Sequence, residues 1–290
     1  MSSVREVVLR PYDPGDEAAV LRLSTAEGLP GQPVPDPAML AEALAGRSPV
    51  DGAWWAALEQ PQTWVAVDRD RAVTGVVSYA LRPEDDTGQL LWLHCREDGP
   101  LAERLVRHVL RVFGARRVEA FQFASALSHG LEALPTVHRP STAAALERAG
   151  FTGERLWRYM RAALPAQGLP RLAHVRVGPD PEGRQARRLE VEERGLVCVE
   201  AVVGLPLQGT AVLWWIEVAT AARGRGLGRA MLGSALDVAA DLGATEVILY
   251  VDDDAAPGEE RDRTAANALY DTSGFVEVDR LFSYARALTV

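Results

Sequence analysis

Two stretches of this sequence occur twice, and the repeat limits the folds that the chain can adopt. "LERAGF", which ends at Phe151, corresponds to "YDTSGF", which ends at Phe275. "RLWRYMRAAL", from Arg155, corresponds to "RLFSYARAL", from Arg280. The offsets are 124 residues (151 to 275) and 125 residues (155 to 280). A shared offset over separate segments is typical of internal duplication, so we predict two copies of one α/β unit.

The same order of strands and helices is predicted in both halves from hydrophobic periodicity. A segment rich in proline and glycine, residues 165–174, separates them as a linker. We expect an α+β fold in which each half, 1–164 and 175–290, is a mixed, mostly antiparallel, twisted sheet flanked by helices. Two helices predicted after the first strand have no counterpart in the second half, where a short loop, "PDPEGRQ", stands instead.

Composition and charge exclude several classes of function. The chain has 290 residues and a net charge of −9, which argues against a general nucleic-acid binder. No apolar run approaches the ~18–20 residues of a membrane span, and no secretory signal is recognisable. Cys95, Cys198 and the five scattered histidines show no metal-ligand spacing, so we expect no metal. We expect a cytoplasmic protein without membrane or nucleic-acid partners. All 31 basic residues are arginine, which favours a GC-rich bacterial genome.

A glycine- and arginine-rich segment joins a predicted strand, ending at Val218, to a predicted helix. The segment Arg223–Gly228 reads RGRGLG, so its backbone N–H groups lie open at a helix N-terminus. The helix macrodipole adds partial positive charge there, and two arginines add more. Such a junction can bind a phosphate or pyrophosphate, although a simple glycine-rich turn is the alternative. The Lys-Ser/Thr ending of a P-loop is missing, and the glycine spacing differs from the dinucleotide fingerprint.

Two motifs in the second half resemble one known family. Arg223-x-x-Gly226-x-Gly228 resembles the R/Q-x-x-G-x-G/A signature of the Gcn5-related N-acetyltransferases (GNAT). "ALYDTSGF", from Ala268 to Phe275, is similar to that family's second hallmark, a helix with a tyrosine shortly before Gly-Phe. The resemblance is clearest over residues 172–290. The first half has the same element order with weaker motifs, so the whole chain resembles a tandem GNAT protein.

The resemblance implies that the second half binds acetyl-CoA as cosubstrate. The pyrophosphate would lie on the backbone N–H groups of the glycine-rich segment, and the pantetheine arm would pair with the end of the preceding strand. The acetyl group would lie where the fourth and fifth strands separate. The residues assigned to acetyl-CoA are Val218, Ala219, Arg223, Gly224, Arg225, Gly226, Leu227, Gly228 and Arg229.

The resemblance also implies direct acetyl transfer to a small amine in a ternary complex. Tyr270 matches the family's proton donor to the departing thiolate, with a core tyrosine as the alternative. Glu217 is a candidate base, although strand alternation turns it to the face opposite Val218. Asp252, Asp253 and Asp254 could bind a cationic acceptor, or they could be a solvated loop. A non-catalytic acyl-CoA sensor is the competing function, and the chain could be a monomer or a homodimer.

The first half departs from the acetyl-CoA motif. Aligning the two copies places Asp98 opposite Arg223, Leu101 opposite Gly226 and Glu103 opposite Gly228. It places Leu146 opposite Tyr270. Carboxylates at these positions would repel a pyrophosphate. We therefore expect one acetyl-CoA site per chain, in the second half, and a degenerate first half.

Overall fold

A computed structural model describes residues 7–182, 184–252 and 262–287 and divides the chain into two compact units. Unit 1 comprises the chain up to Leu156 together with the segment from Asp279 onward, and unit 2 is Trp157–Val278. Each unit contains a mixed, mostly antiparallel sheet with helices packed against it, as the sequence predicts.

Unit 1 contains most of the helices of the described chain. Its α2 begins at Pro37, because the Asp36 side chain accepts a hydrogen bond from the Met39 N–H (2.9 Å) and proline suits the first helical position. The elements are β1 (Val8–Pro11), α1 (Glu17–Ala26), α2 (Pro37–Leu44), α3 (Gly52–Ala56), β2 (Gln62–Val67), β3 (Val73–Arg82), β4 (Thr87–His94), α4 (Gly99–Phe113), β5 (Val118–Ala120), β6 (Leu134–Pro135), α5 (Pro140–Arg148) and β7 (Thr152–Ala163), whose later part belongs to unit 2.

The strand order in unit 1 is β1–β2–β3–β4–β5. Neighbours are antiparallel except β4 and β5, which run parallel and pair only from Gly88 to Leu90. Beyond Leu90 the two strands diverge. Apolar side chains of α4 and α5 form the core on one face of this sheet, and those of α1 and α2 form a second core on the other.

Unit 2 has fewer helices, and its sheet order is β8–β9–β10–β11–β12–β7. Only β11 and β12 are parallel. The described residues between β8 and β9 form a loop without a helix, as expected. The elements are β8 (Arg176–Pro179), β9 (Ala186–Glu193), β10 (Leu196–Gly204), β11 (Thr210–Val218), α6 (Leu227–Asp241), β12 (Glu246–Asp252), α7 (Thr264–Asp271) and β13 (Val276–Arg286), whose later part belongs to unit 1.

The unit bounds differ from the predicted halves, 1–164 and 175–290, because the final strand of each half completes the other unit's sheet. In unit 2, β12 pairs with residues Trp157–Ala163 of β7. In unit 1, β5 pairs with residues Tyr284–Arg286 of β13. Sequence repeats reveal the order of elements along a chain, and they do not reveal which sheet a terminal strand joins.

The predicted linker is a segment that packs along α6 within unit 2. Arg171 forms a two-pronged ion pair with Asp237 (2.5 and 2.8 Å), and the Leu172 N–H donates to Ser234 Oγ (3.1 Å). A Cβ at Gly233 would lie 2.2 Å from the carbonyl oxygen of Pro170. Glycine at this position of α6 therefore permits the close approach of the segment's backbone.

Every helix in the described part of the chain is too short or too polar to cross a lipid bilayer.

Candidate functional site

The β11–α6 junction of unit 2 has an open helix N-terminus. After a short 3-10 turn, Gly224 and Gly226 both adopt φ = +77°, and α6 begins at Leu227. A Cβ added to either glycine would meet nothing within 4 Å, so glycine is required there by backbone conformation. Gly226 occupies the N-cap and has no side chain to accept from the first turn of α6. Those N–H groups therefore face open space, where an anion can accept their hydrogen bonds.

Gly228 has a different role, since its neighbours are close. A Cβ at this position would lie 3.3 Å from Val218 Cγ2 and 4.0 Å from Leu269 Cδ2. The first turn of α6 thus packs between the end of β11 and helix α7. This packing places the glycine-rich segment beside the helix that carries Tyr270.

The two arginines of the segment and Arg229, in the first turn of α6, have intramolecular partners. Arg223 Nε donates to the Val218 carbonyl oxygen (3.2 Å). Arg225 forms two hydrogen bonds with the Glu193 carboxylate (2.6 and 2.9 Å), and this contact raises the pKa of Arg225. Arg229 donates to Thr272 and Ser273 at the end of α7 and so joins α6 to α7. These arginines orient the junction as well as adding positive charge, and Glu193 neutralises part of that charge.

The strands β11 and β12 diverge next to this junction. They pair only over Thr210–Val212, and β11 has a bulge at Trp214, where Val202 pairs with Trp215 and Val203 with Leu213. A gap between parallel strands therefore opens at the carboxyl end of β11, directly before the glycine-rich segment. The family resemblance of the sequence predicts an acetyl group in such a gap.

The pairing of β11 with β10 determines which backbone N–H and C=O groups of β11 face the gap. The Ala219 N–H donates to the Cys198 carbonyl on β10 (3.0 Å), and the Ala219 carbonyl accepts from Ala222 (2.7 Å). Because antiparallel pairs alternate, the N–H and C=O groups of Val218 and Ile216 then point away from β10, toward the gap. Both backbone groups of Ala219, which we expected to pair with a pantetheine arm, thus have partners within the chain, whereas those of Val218 and Ile216 face the gap.

Tyr270 lies near the end of α7 and is 6% exposed. Its ring contacts Phe275 edge-on, with centroids 5.5 Å apart. Burial raises the pKa of the phenol well above its ordinary value, against a smaller opposing effect of Arg263. Among the described residues no group hydrogen bonds to its hydroxyl. A buried phenol that stays protonated at neutral pH can donate a proton to a nearby anion.

The acidic candidates are separated from one another. Glu217 is exposed on β11 and pairs in register with Glu200 of β10. Asp252, at the end of β12, lies 3.5 Å from Arg263, and its backbone carbonyl accepts from Asn267 (3.0 Å). The predictions for Asp253 and Asp254 fall outside the described residues. No cluster of three or more potential metal ligands occurs in the part of the chain that the structure describes.

Arg158 is a residue of this unit that sequence reasoning missed. It donates to Asn267 Oδ1 (2.6 Å), Asp271 (2.8 Å) and Glu277 (2.6 Å), and it is 13% exposed. These bonds attach α7, and with it Tyr270, to β7. Its position in the first half of the sequence concealed this role, because the exchange of final strands brings it into unit 2.

In unit 1 the corresponding helix N-terminus is closed. Only residues 95–98 separate β4 from α4, against 219–226 between β11 and α6. Asp98 is the N-cap of α4, and its carboxylate accepts from the Leu101 N–H (3.1 Å). Asp98 is therefore equivalent to Gly226, not to Arg223 as the sequence alignment placed it, since the loop is shorter. Leu146, opposite Tyr270, is fully buried in the core.

Comparison with known proteins agrees with this geometry. The acetyltransferase (GNAT) family model matches residues 157–275, nearly the bounds of unit 2. Several solved structures cover almost the whole chain. A GCN5-related N-acetyltransferase from Sphaerobacter thermophilus is 16% identical, with a TM-score of 0.60 over 97% of this chain and 95% of its own. A tandem GNAT protein from the clavulanic acid biosynthesis pathway is 18% identical, with a TM-score of 0.62 over 97% and 98%.

A third solved structure, a GCN5-related glucosamine N-acetyltransferase region of a fungal multi-domain β-N-acetylglucosaminidase, is 13% identical. Its TM-score is 0.61 over 98% of this chain and 38% of its own. No curated protein sequence matches the chain. Members of the GNAT family are generally acyltransferases that act on small-molecule or protein acceptors. Residues 157–275 match the acetyltransferase (GNAT) family model, and the chain as a whole has the fold of the solved tandem GNAT protein.

Proposed function

We propose that unit 2 binds acetyl-CoA and transfers its acetyl group directly to the amine of a small molecule. The observation that carries this proposal is the open N-terminus of α6. Gly226 leaves the first-turn N–H groups without a side-chain cap at the point where β11 has just diverged from β12. An anion site and an extended strand edge thus adjoin, as a pyrophosphate followed by a pantetheine arm requires.

In this proposal the pyrophosphate accepts hydrogen bonds from the backbone of Gly224–Arg229. The pantetheine amides pair with the outward-facing backbone groups of Val218 and Ile216, like an added strand. Arg223, which binds only a carbonyl oxygen among the described residues, can turn to a phosphate at small cost. Arg225 could contact a phosphate only by leaving the Glu193 carboxylate.

The chemistry needs two proton transfers. The amine nitrogen attacks the acetyl carbonyl carbon, the C–S bond breaks, and the thiolate sulfur must be protonated as it leaves. We assign that proton to Tyr270, because burial keeps its hydroxyl protonated. The attacking nitrogen loses its proton to Glu217, directly or through water. Among the described residues, Glu217 has no ion-pair partner, whereas Asp252 contacts Arg263.

A non-catalytic acyl-CoA sensor is the second candidate function. It is favoured by the position of Glu217, whose side chain lies on the sheet face opposite Val218 and Ile216. A fold with an anion site and no base in reach of the acetyl group would bind acetyl-CoA without turnover.

One experiment separates these functions. Calorimetry of the full chain with acetyl-CoA is expected to show one site per chain. Thiol release is then followed with a panel of amines, glucosamine included because a solved protein of this fold is named for it, and products are identified by mass spectrometry. An acetylated amine supports the enzyme, whereas binding without release across the panel supports the sensor. Absence of acetyl-CoA binding would overturn both.

A further inference from the structure

Unit 1 contains a cavity of about 90 Å³ that the proposed acetyl transfer does not use. It lies between the carboxyl ends of β4 and β5, where these parallel strands have diverged, and the segment after α1 closes over it. Its wall is largely apolar. The main apolar residues are Leu29, Leu91, Phe121, Phe123, Leu127 and Leu134.

Two residues that line the cavity each have a buried polar group without a partner in the part of the chain that the structure describes. Ser24 Oγ and Trp92 Nε1 are buried, with their residues 4% and 3% exposed, and neither forms a hydrogen bond. The indole N–H can only donate, and a serine hydroxyl can donate as well. Leaving such groups unpaired is costly, so a ligand that offers an acceptor atom gains affinity here.

The charged groups of the cavity, by contrast, already have hydrogen-bond and ion-pair partners. The Glu27 carboxylate accepts from His94 Nδ1 (2.7 Å), the backbone N–H groups of Cys95 (3.0 Å) and Glu97 (3.1 Å), and lies 3.1 Å from the Arg139 guanidinium. Burial opposes ionisation of Glu27, but these bonds and charges outweigh it and lower its pKa to about 2.

Arg139 is equally satisfied. It donates to Glu97 (2.6 Å), to the Leu93 carbonyl (3.0 Å) and to Thr142 Oγ1 (3.0 Å). Neither ion needs a counter-charge from a ligand. A charged ligand would lose its hydration in an apolar cavity without gaining an ion pair.

We propose that this cavity binds a small neutral molecule with an apolar body and one hydrogen-bond acceptor oxygen, directed at Trp92 and Ser24. A cavity of ~150 Å³ holds benzene, which has six non-hydrogen atoms, so by the same measure a space of 90 Å³ accommodates about four, such as the carbonyl end of a small ketone. This binding is independent of acetyl-CoA binding by unit 2. It gives unit 1 a ligand site of its own, although its α4 N-terminus is closed by Asp98.

The first test uses the unmodified full chain and three probes of similar size. Cyclopentanone is neutral with an acceptor oxygen, isobutyrate is an anion, and cyclopentylamine is a cation. Tryptophan indole N–H signals are followed by ¹H–¹⁵N NMR, and the Trp92 signal is the one lost in Trp92→Phe. Cyclopentanone is expected to shift this signal saturably in the millimolar range, as suits so small a ligand. The two charged probes are expected to bind at least ten times more weakly.

The second test removes the unpaired groups and follows cyclopentanone by saturation-transfer NMR. Ser24→Ala and Trp92→Phe are each expected to weaken binding about 3- to 10-fold, the typical value of one hydrogen bond. Matched controls outside the cavity, Ser283→Ala and Trp64→Phe, should leave the affinity unchanged. The proposal is overturned if cyclopentanone causes no saturable shift, as for a cavity filled by water alone, or if the charged probes bind equally well. Unchanged affinity in folded Ser24→Ala would also overturn it.

Discussion

The Asp98 carboxylate accepts a hydrogen bond from the Leu101 N–H and thereby closes the N-terminus of α4. At the equivalent N-cap of α6, Gly226 offers no such acceptor. The two copies of one fold thus differ at the position that decides whether an external anion can bind. A carboxylate at the N-cap stabilises its own helix and excludes a phosphate from the same N–H groups.

This difference predicts the effect of a charge at Gly226. Asparagine and aspartate both tolerate the left-handed conformation and have nearly the same shape. Gly226→Asp is expected to reduce acetyl-CoA affinity about 30-fold relative to Gly226→Asn, since a partly solvated charge at short range contributes ~2 kcal/mol. Calorimetry measures both variants. Equal affinities would mean that the pyrophosphate does not lie on this helix N-terminus.

Tyr270 should matter for turnover and not for cofactor binding. Tyr270→Phe is expected to lower kcat by ~100-fold, the scale of one lost proton donor, and to leave the Kd for acetyl-CoA within about 2-fold. Tyr284→Phe, at another buried tyrosine, serves as the control and should keep wild-type turnover. Steady-state thiol release with an amine substrate provides the measurement. If Tyr270→Phe also keeps wild-type turnover, then this residue is a core residue only.

The carboxyl group of Glu132 is expected to make the stability of unit 1 depend on pH. Burial, with a smaller effect of Asp51, raises the pKa of its carboxyl group to about 7, and no described residue hydrogen bonds to it. In the unfolded chain the same group ionises near pH ~4.3. Between these two pH values the folded chain binds more protons at Glu132 than the unfolded chain does. The free energy of unfolding therefore falls as the pH rises to 7.

Glu132→Gln removes that dependence. We expect the variant to be more stable than the wild type by about 1–3 kcal/mol at pH 8 and by clearly less at pH 5. Urea unfolding at the two pH values measures the difference, and the exposed Glu59→Gln is the matched control. A stability difference that is the same at both pH values would contradict the assignment to Glu132.

The packing of the segment 165–174 on α6 predicts the cost of a methyl group at Gly233. Gly233→Ala places Cβ 2.2 Å from the Pro170 carbonyl oxygen, so the backbone of the segment must move. We expect a loss of about 1–3 kcal/mol in the free energy of unfolding, as for other overpacked sites. Gly178→Ala, where an added Cβ meets nothing within 4 Å, should be nearly neutral. Similar unfolding midpoints for the two variants would show that the segment is not held against α6.

The sequence by itself determined the duplicated α/β unit and the position of the glycine-rich helix N-terminus that we propose as an anion site. The shared offset of two separate motifs and the periodicity of the helices predicted the element order, because both are local properties of the chain. The glycines at 224 and 226 were recognisable for the same reason. A positive φ is a requirement of the local backbone that few other residues satisfy.

Other features were decided by the tertiary structure alone. Pairing between distant strands assigns β13 to unit 1 and the later part of β7 to unit 2, which brings Arg158 to helix α7. The bond from Ala219 to Cys198 depends on the register between β11 and β10, and the bond from Arg225 to Glu193 also joins residues far apart in sequence. The cavity beside Trp92 exists because β4 and β5 diverge under the segment after α1. Each of these features depends on contacts between residues that are distant in the sequence. Local sequence patterns do not specify such contacts.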